Sequence, residues 1–162
     1  MTKRLIPDWP FPAYIFVPGE NPHPKKSGGH MEGQGDPVAQ PLDLHHPEQS
    51  EFLRYSLDLY NAEYYWESHV YLEALWNAHG RVGSTADFLK GLIKLGAAGV
   101  KVKINQRASA ADHFLRAKEL FSEVMKLEGK IFLGFDLEKL NSDIDRAMES
   151  QDMRLIVNPS WA

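Results

Sequence analysis

The distribution of proline along this chain divides it into two parts that cannot fold alike. Eight of the ten prolines lie before residue 42, together with five of the twelve glycines. Proline lacks a backbone N–H and breaks helix interiors and central strands, so residues 1–45 are predicted to form an extended arm. From Pro47 onward the apolar residues recur with a helical period, and no strand pattern competes. The predicted fold is therefore all-α, a compact bundle of about five helices with the Pro/Gly-rich arm packed on it.

The periodicity also predicts where the parts of the chain begin and end. The predicted units are an N-terminal arm over 1–45, a helical bundle domain over 46–150 and a C-terminal tail over 151–162. The first helix is predicted to begin at Pro47, and Asn61 to break the chain and act as N-cap of a second helix over 62–78. The other helices are predicted to start near residues 84, 109 and 136. Trp9–Pro18 is too apolar for a solvated linker and is expected to lie across the helical body.

The third predicted helix carries an unusual number of small residues. Gly91, Gly96 and Gly99 lie in one helical stretch, and each glycine weakens helix propensity by about 1 kcal/mol. Such a sequence is expected where another backbone must approach closely. The third helix is therefore predicted to be central in the bundle.

Composition limits the classes of function. A net charge of −4 argues against nucleic-acid binding, because binders of that class usually carry a basic stripe. The lack of cysteine excludes disulfides, thiol nucleophiles and thiolate zinc sites. The N-terminus lacks the apolar run of a signal peptide, and the most apolar stretch, 89–102, is too short and too charged to span a bilayer. We expect a soluble cytoplasmic protein with no membrane partner, and the sequence indicates no oligomeric state.

The second predicted helix carries several polar side chains that could take part in catalysis or bind a metal ion. His69 and Glu73 are four residues apart and point the same way, at the spacing of two ligands of one metal ion. Glu67 lies about 160° around the helix from His69 and is directed elsewhere. The candidate catalytic residues are Glu67, His69 and Glu73, arranged as two polar spots rather than one triad. His79, in the last turn, is interpreted as a cation that caps the helix.

A metal site needs more than two ligands, and the arm offers further histidines. His23 and His30 lie on the arm, which is expected to close over the bundle. The predicted metal ligands are therefore His69, Glu73, His30 and His23, with one divalent metal ion as the cofactor. A simpler interpretation stays open. A His–Glu pair at this spacing is often only hydrogen bonded, and a buried acid such as Glu67 often ties a helix to a neighbouring backbone or tyrosine.

The residues of this helix also carry a family resemblance. The segment Tyr60–Trp76, which includes Asn61, Glu67, His69 and Glu73, is similar to the hallmark of the family called domain of unknown function 309. Leu89–Ala98 resembles the second signature of that family, and a third signature is present in degraded form at 105–109. The arm, with its prolines and Gly29-His30, looks like the leader of one branch of the family. The resemblance runs from residue 12 to about residue 125.

The resemblance implies a compact all-helical bundle. It implies no reaction, because the family has none assigned. Two positions depart from the family pattern: Val70 stands where a second acid usually follows the histidine, and Lys90 where glutamine is frequent. Loss of that acid weakens schemes that need paired carboxylates or two metal ions, whereas His69 and Glu73 still allow a mononuclear site.

Two classes of function stay open, and whether the protein is an enzyme is left undecided. In the first, His69 and Glu73 belong to a pocket that binds a metal ion or performs acid–base chemistry on a small molecule. In the second, the protein is a non-catalytic module for a protein partner, and the Glu/His cluster is a buried structural network. A pocket requires that His69 and Glu73 reach solvent beside other polar groups. A module predicts that they are sealed, with an apolar groove elsewhere on the surface.

Overall fold

The computed structural model describes residues 2–162, which contain five α-helices. In chain order these are α1 (Glu51–Asn61), α2 (Tyr65–Ala78), α3 (Ser84–Lys103), α4 (Arg107–Glu128) and α5 (Leu137–Glu149). A short 3-10 turn, Pro47–Gln49, precedes α1. A two-stranded antiparallel hairpin, β1 (Ile131–Phe132) and β2 (Phe135–Asp136), lies between α4 and α5. The predicted all-α bundle is confirmed.

The third helix is central, as its glycines predict. α3 packs against both α2 and α4, while α1 packs on α2 and α5 on α4. A Cβ atom added at Gly99 would overlap the ring of Tyr65, and one added at Gly91 would overlap the ring of Phe121. The glycines therefore give up helix propensity so that aromatic rings of the neighbouring helices can lie against the α3 backbone.

The turn between α1 and α2 differs from the prediction. Asn61 is the last residue of α1, not the N-cap of α2. Its side-chain amide donates to the carbonyl of Val157 and accepts from the N–H of Val157, both at 2.9 Å. The chain reverses at Glu63, which has φ 70°, and α2 begins at Tyr65. Asn61 is buried and hydrogen bonds the tail. The two residues are far apart in sequence, so no local pattern indicates this contact.

The predicted helix starts also need correction. The N-cap of α1 is Ser50, whose Oγ accepts from Leu53 N at 3.1 Å, so the segment at Pro47 is a separate 3-10 turn. α4 begins two residues before the predicted Ser109. The β1–β2 hairpin was not predicted, because strands of two residues are too short to produce a period-two pattern.

The arm is packed on α1 and α2 through its aromatic residues. Trp9 meets Tyr55 edge to face at 5.1 Å, and Phe11 stacks on Tyr64 at 4.9 Å. The buried carboxylate of Asp58 in α1 accepts from the guanidinium of Arg4 and from two backbone N–H groups of the arm. The prediction that 9–18 lies across the helical body is confirmed. The arm therefore reaches the start of α2, where the candidate residues lie.

Candidate functional site

Glu67 lies in the first turn of α2 and is sealed beneath the arm. Its Oε2 accepts from Phe16 N at 2.9 Å and lies 2.8 Å from Nε2 of His30. Only 2% of the Glu67 side chain and 7% of the His30 side chain are exposed. Because an ionised carboxylate can only accept, His30 donates through Nε2. Among the described residues the other oxygen, Oε1, has no hydrogen-bond partner.

The arm is folded so that His30 reaches Glu67. The Tyr14 hydroxyl donates to Pro22 O at 2.7 Å and accepts from His30 N at 3.2 Å. The rings of Tyr14 and His30 lie 4.6 Å apart. Gly29 is required beside His30, because a Cβ there would overlap the carbonyls of His23 and Pro24. We call Glu67, His30 and the Phe16 N–H the arm clamp.

Two tyrosines, one in α1 and one in the turn before α2, hydrogen bond the arm upstream of the arm clamp. Tyr55 donates to Pro10 O at 2.6 Å and Tyr64 to Pro12 O at 3.4 Å, so both hydroxyls hold the arm. Burial, with a smaller contribution from Tyr71, raises the pKa of Tyr55 to about 12. Burial and then the Glu67 carboxylate raise the pKa of Tyr64. Both phenols stay protonated and act as neutral hydrogen-bond donors.

His69 and Glu73 form a second polar spot that is open to solvent. Nδ1 of His69 donates to the Trp66 carbonyl one turn earlier in α2, while Nε2 lies 3.6 Å from Oε2 of Glu73. Their side chains are 30% and 48% exposed. A separation of 3.6 Å is too long for a hydrogen bond, so in the neutral Nδ1–H tautomer Nε2 keeps a free lone pair beside the carboxylate.

These two side chains line a small cavity that the arm helps to build. The cavity has a volume of about 180 Å³ and lies between α2 and the arm. Lys25 and Asp36, which are ion-paired with each other, line it from the arm, and Asn77 lines it from α2. Glu67 is not among the residues that line the cavity. We call this space the His69 cavity.

The four predicted metal ligands are divided between different surroundings. His30 is bound to Glu67, and His69 faces Glu73. His23 packs edge to face on the Trp66 ring at 5.1 Å, and its Nδ1 accepts from Lys25 N. In the described chain, 2–162, no group of three or more histidine, aspartate or glutamate side chains is arranged to hold a metal ion.

His79 differs from its predicted role as a helix-capping cation. Its Nε2 accepts from the backbone N–H of Leu42 at 2.9 Å, and an acceptor nitrogen carries no proton. Burial lowers the pKa of His79 from its usual 6.5, which also favours the neutral form. The interpretation from the helix dipole was wrong because the arm supplies a donor at this helix end. His79 therefore joins the arm to the C-terminal end of α2.

Sequence reasoning missed the arm residues that complete the site. Lys25 and Asp36 line the His69 cavity, and Tyr14 and Phe16 position the arm clamp. An irregular Pro/Gly-rich segment has no period from which the direction of a side chain follows. The only available signal was the apolar stretch over 9–18, which indicates contact with the bundle but no partner.

Comparison with known proteins supports the resemblance found in the sequence. The sequence model of the family described as Domain of unknown function (DUF309) matches residues 53–112. The match includes all of α2 and α3 and therefore Glu67, His69 and Glu73. Neither a curated protein nor a solved structure matches the chain significantly. Within the part of the chain that the structure describes, no helix has the length and apolar character needed to cross a bilayer.

Proposed function

We propose that the His69 cavity is an acid–base site for a small polar molecule. The observation that carries the proposal is the hydrogen bond from His69 Nδ1 to the Trp66 carbonyl. A carbonyl only accepts, so this bond keeps the proton on Nδ1 and leaves Nε2 as the basic nitrogen in the neutral ring. Nε2 belongs to a partly exposed side chain in an open cavity, within reach of a ligand.

The proposed chemistry uses the two side chains in different roles. Nε2 of His69 takes a proton from an O–H or N–H group of the ligand, which makes the ring an imidazolium. The Glu73 carboxylate, 3.6 Å away, stabilises that positive charge and favours the transfer. The same proton can then return to the ligand from Nε2. Asn77 and the Lys25–Asp36 pair offer further hydrogen bonds for orienting a polar molecule.

Glu67 is a positioning residue in this proposal. It does not line the cavity, and one of its oxygens is used by Phe16 and His30. Its contribution is to hold the arm, which supplies Lys25 and Asp36 to the cavity wall. This interpretation agrees with the structural-network alternative for Glu67 and His30, and it restricts the pocket hypothesis to His69 and Glu73.

A mononuclear divalent metal ion is the second candidate for the same cavity. Histidines that bind a metal usually donate their other ring N–H to a carbonyl or carboxylate, as His69 does. Nε2 and the Glu73 carboxylate are separated by 3.6 Å, close enough for both to bind one ion. Water or the ligand would have to supply the remaining positions, so we rank this candidate second.

The test uses a fragment library observed by saturation-transfer NMR, with His69→Gln compared against His45→Gln. His45 is an exposed histidine outside the cavity, so it is a matched control. We expect fragments that bind the native protein and the control to lose their signal with His69→Gln. Equal binding to both variants would contradict the proposal. Elemental analysis of untagged protein separates the second candidate: near-stoichiometric metal that only His69→Gln loses would favour the metal site over simple acid–base chemistry.

A further inference from the structure

A second concave surface lies on the side of the arm near the start of α1. It has a volume of about 440 Å³, in the range of ligand-binding pockets, and Trp9 and Phe52 are among its lining residues. Their rings meet edge to face at 6.1 Å. At its edge the side chain of Val38 is 90% exposed. We call this surface the Trp9–Phe52 groove.

The charges around the groove have one sign. The carboxylates of Asp43 and Glu51 line it, and no lysine or arginine is among its lining residues in the described chain. His46, which also lines it, lies 3.1 Å from the Glu48 carboxylate. A cation placed here meets both carboxylates and aromatic faces, and each attracts positive charge. The groove therefore selects for a ligand that is apolar and cationic.

One wall of the groove is an extended piece of backbone. Between Pro37 and Pro41, Val38 and Gln40 are exposed while Ala39 is half-buried, the alternation of a strand with one free face. In the described chain, none of the backbone N–H and C=O groups of 38–40 makes an intramolecular hydrogen bond. Such an edge can pair with an added extended peptide, whose alternate side chains then enter the neighbouring groove.

We propose that the Trp9–Phe52 groove binds an extended segment of a protein partner in which one residue separates a lysine or arginine from an apolar residue, so that both side chains lie on the same face of the strand. The backbone of 38–40 pairs with the segment, Trp9 and Phe52 receive an apolar side chain, and Asp43 and Glu51 attract the cation. This inference gives the interaction-module alternative a surface and a class of partner. It uses neither His69 nor Glu73, so its failure leaves the acid–base proposal intact, and the reverse holds.

The test is a titration of the full chain, labelled with 15N, with the synthetic peptide acetyl-Val-Thr-Lys-Thr-Val-Thr-Arg-amide, whose valines and basic residues lie on one face of an extended strand. Peptides with glutamate or glutamine in place of both basic residues are the comparison probes. We expect saturable shifts of the backbone amides of 38–40 and of the Trp9 indole with the basic peptide, weakened by salt. Equal binding of the three peptides, or shifts elsewhere on the protein, would overturn the proposal.

Two matched valine variants complete the experiment. Val38→Lys places a positive charge at the groove, whereas Val82→Lys makes the same change at another exposed valine, 77% accessible and outside the groove. Both sites are exposed, so both variants are expected to fold. Repulsion of about 1 kcal/mol corresponds to about five-fold weaker binding of the basic peptide to Val38→Lys, with Val82→Lys unchanged. Equal affinities for the two variants would contradict the assigned surface.

Discussion

Glu67 and Glu73 are the same residue type on one helix, six positions apart, yet their surroundings differ, and we propose different roles for them. Glu67 is sealed, with two donors from the arm on one oxygen, whereas Glu73 is half-exposed beside the free nitrogen of His69. A buried carboxylate with fixed partners holds structure, because its loss leaves those donors unsatisfied. An exposed carboxylate beside an imidazole is available for chemistry.

We predict that His79 makes stability depend on pH. Burial lowers its folded pKa below the usual 6.5, and Leu42 N–H needs the unprotonated Nε2. The stabilisation is therefore fully present above pH 6.5 and is lost as the pH falls through the lower folded pKa. His79→Gln keeps an acceptor that does not titrate. Urea unfolding at several pH values between 5 and 8 should show that the variant loses less stability on acidification than the native protein.

All other titrating groups are present in both the native protein and His79→Gln. Their contributions to the pH dependence of stability therefore cancel when the two proteins are compared. His79→Ala, which removes the acceptor altogether, should lower the free energy of unfolding by about 1 kcal/mol near pH 7.5. Identical pH dependences for the native protein and His79→Gln would show that the hydrogen bond to Leu42 does not require a neutral histidine.

At the scale of elements, the packing of α3 depends on where it lacks side chains. Alanine in place of an unobstructed helix glycine stabilises by about 1 kcal/mol, but at Gly99 the added Cβ overlaps the Tyr65 ring. We predict that Gly99→Ala instead lowers the free energy of unfolding by about 1–3 kcal/mol. Denaturant unfolding measures it directly, and a more stable variant would contradict the packing described here.

A double variant identifies the cause of that loss. Tyr65→Ala removes Cγ and both Cδ atoms, which the new Cβ would meet, so Gly99→Ala should be less destabilising in the Tyr65→Ala background than in the native protein. Such non-additivity is expected for residues in contact or otherwise coupled, and not for distant independent sites. Strictly additive losses would mean that the effect of Gly99→Ala comes from somewhere other than this ring.

The sequence predicts the elements well where a period or a local rule acts. The helical repeat predicts α1 to α5, the glycines predict that α3 is central, and a helix start is predicted near residue 136, where Asp136 is the N-cap of α5. The prediction fails where a contact between residues that are distant in sequence determines the local structure. Asn61 is a residue type that is common at N-caps, but it hydrogen bonds the tail at Val157. His79 lies where a capping cation is expected, but its Nε2 accepts a hydrogen bond from Leu42 N.

The candidate site was predictable only on its helical half. Helical geometry separates Glu67 from His69 and aligns His69 with Glu73, as found. The arm half was not predictable, because the contact of His30 with Glu67 and the positions of Lys25 and Asp36 depend on turns without a period. That missing half changes the interpretation, because the contacts of Glu67 with the arm are what support a structural role for a residue that the sequence makes a catalytic candidate.

At the scale of the whole molecule, the arm and the C-terminal tail each hydrogen bond the α1–α2 hairpin. The arm is held by Asp58 and Glu67, and the tail by Asn61. We predict that Asn61→Ala lowers the free energy of unfolding by about 2–4 kcal/mol, because it leaves both backbone groups of Val157 unpaired and buried. Hydrogen exchange at the Val157 amide should accelerate at the same time.

The neighbouring asparagine is a matched control for this prediction. Asn158 is exposed, so Asn158→Ala should change stability by less than about 0.5 kcal/mol and leave exchange at Val157 unaltered. If Asn61→Ala unfolds like Asn158→Ala, the tail is held by its other contacts, which include the hydrogen bonds from Ser160 N to Gly134 O and from Trp161 Nε1 to Leu133 O, and the two hydrogen bonds of Asn61 contribute little.

The proposal that Glu67 is structural and that Glu73 is functional is tested most directly by urea unfolding of Glu67→Met and Glu73→Met. Methionine has a similar volume and accepts hydrogen bonds weakly. We predict a loss of about 2–5 kcal/mol for Glu67→Met, because Phe16 N–H and the His30 ring N–H become buried and unpaired, and a change within about 0.5 kcal/mol for Glu73→Met. Comparable losses for the two variants, or a larger loss for Glu73→Met, would contradict the assignment of Glu67 to structure and of the His69–Glu73 pair to function.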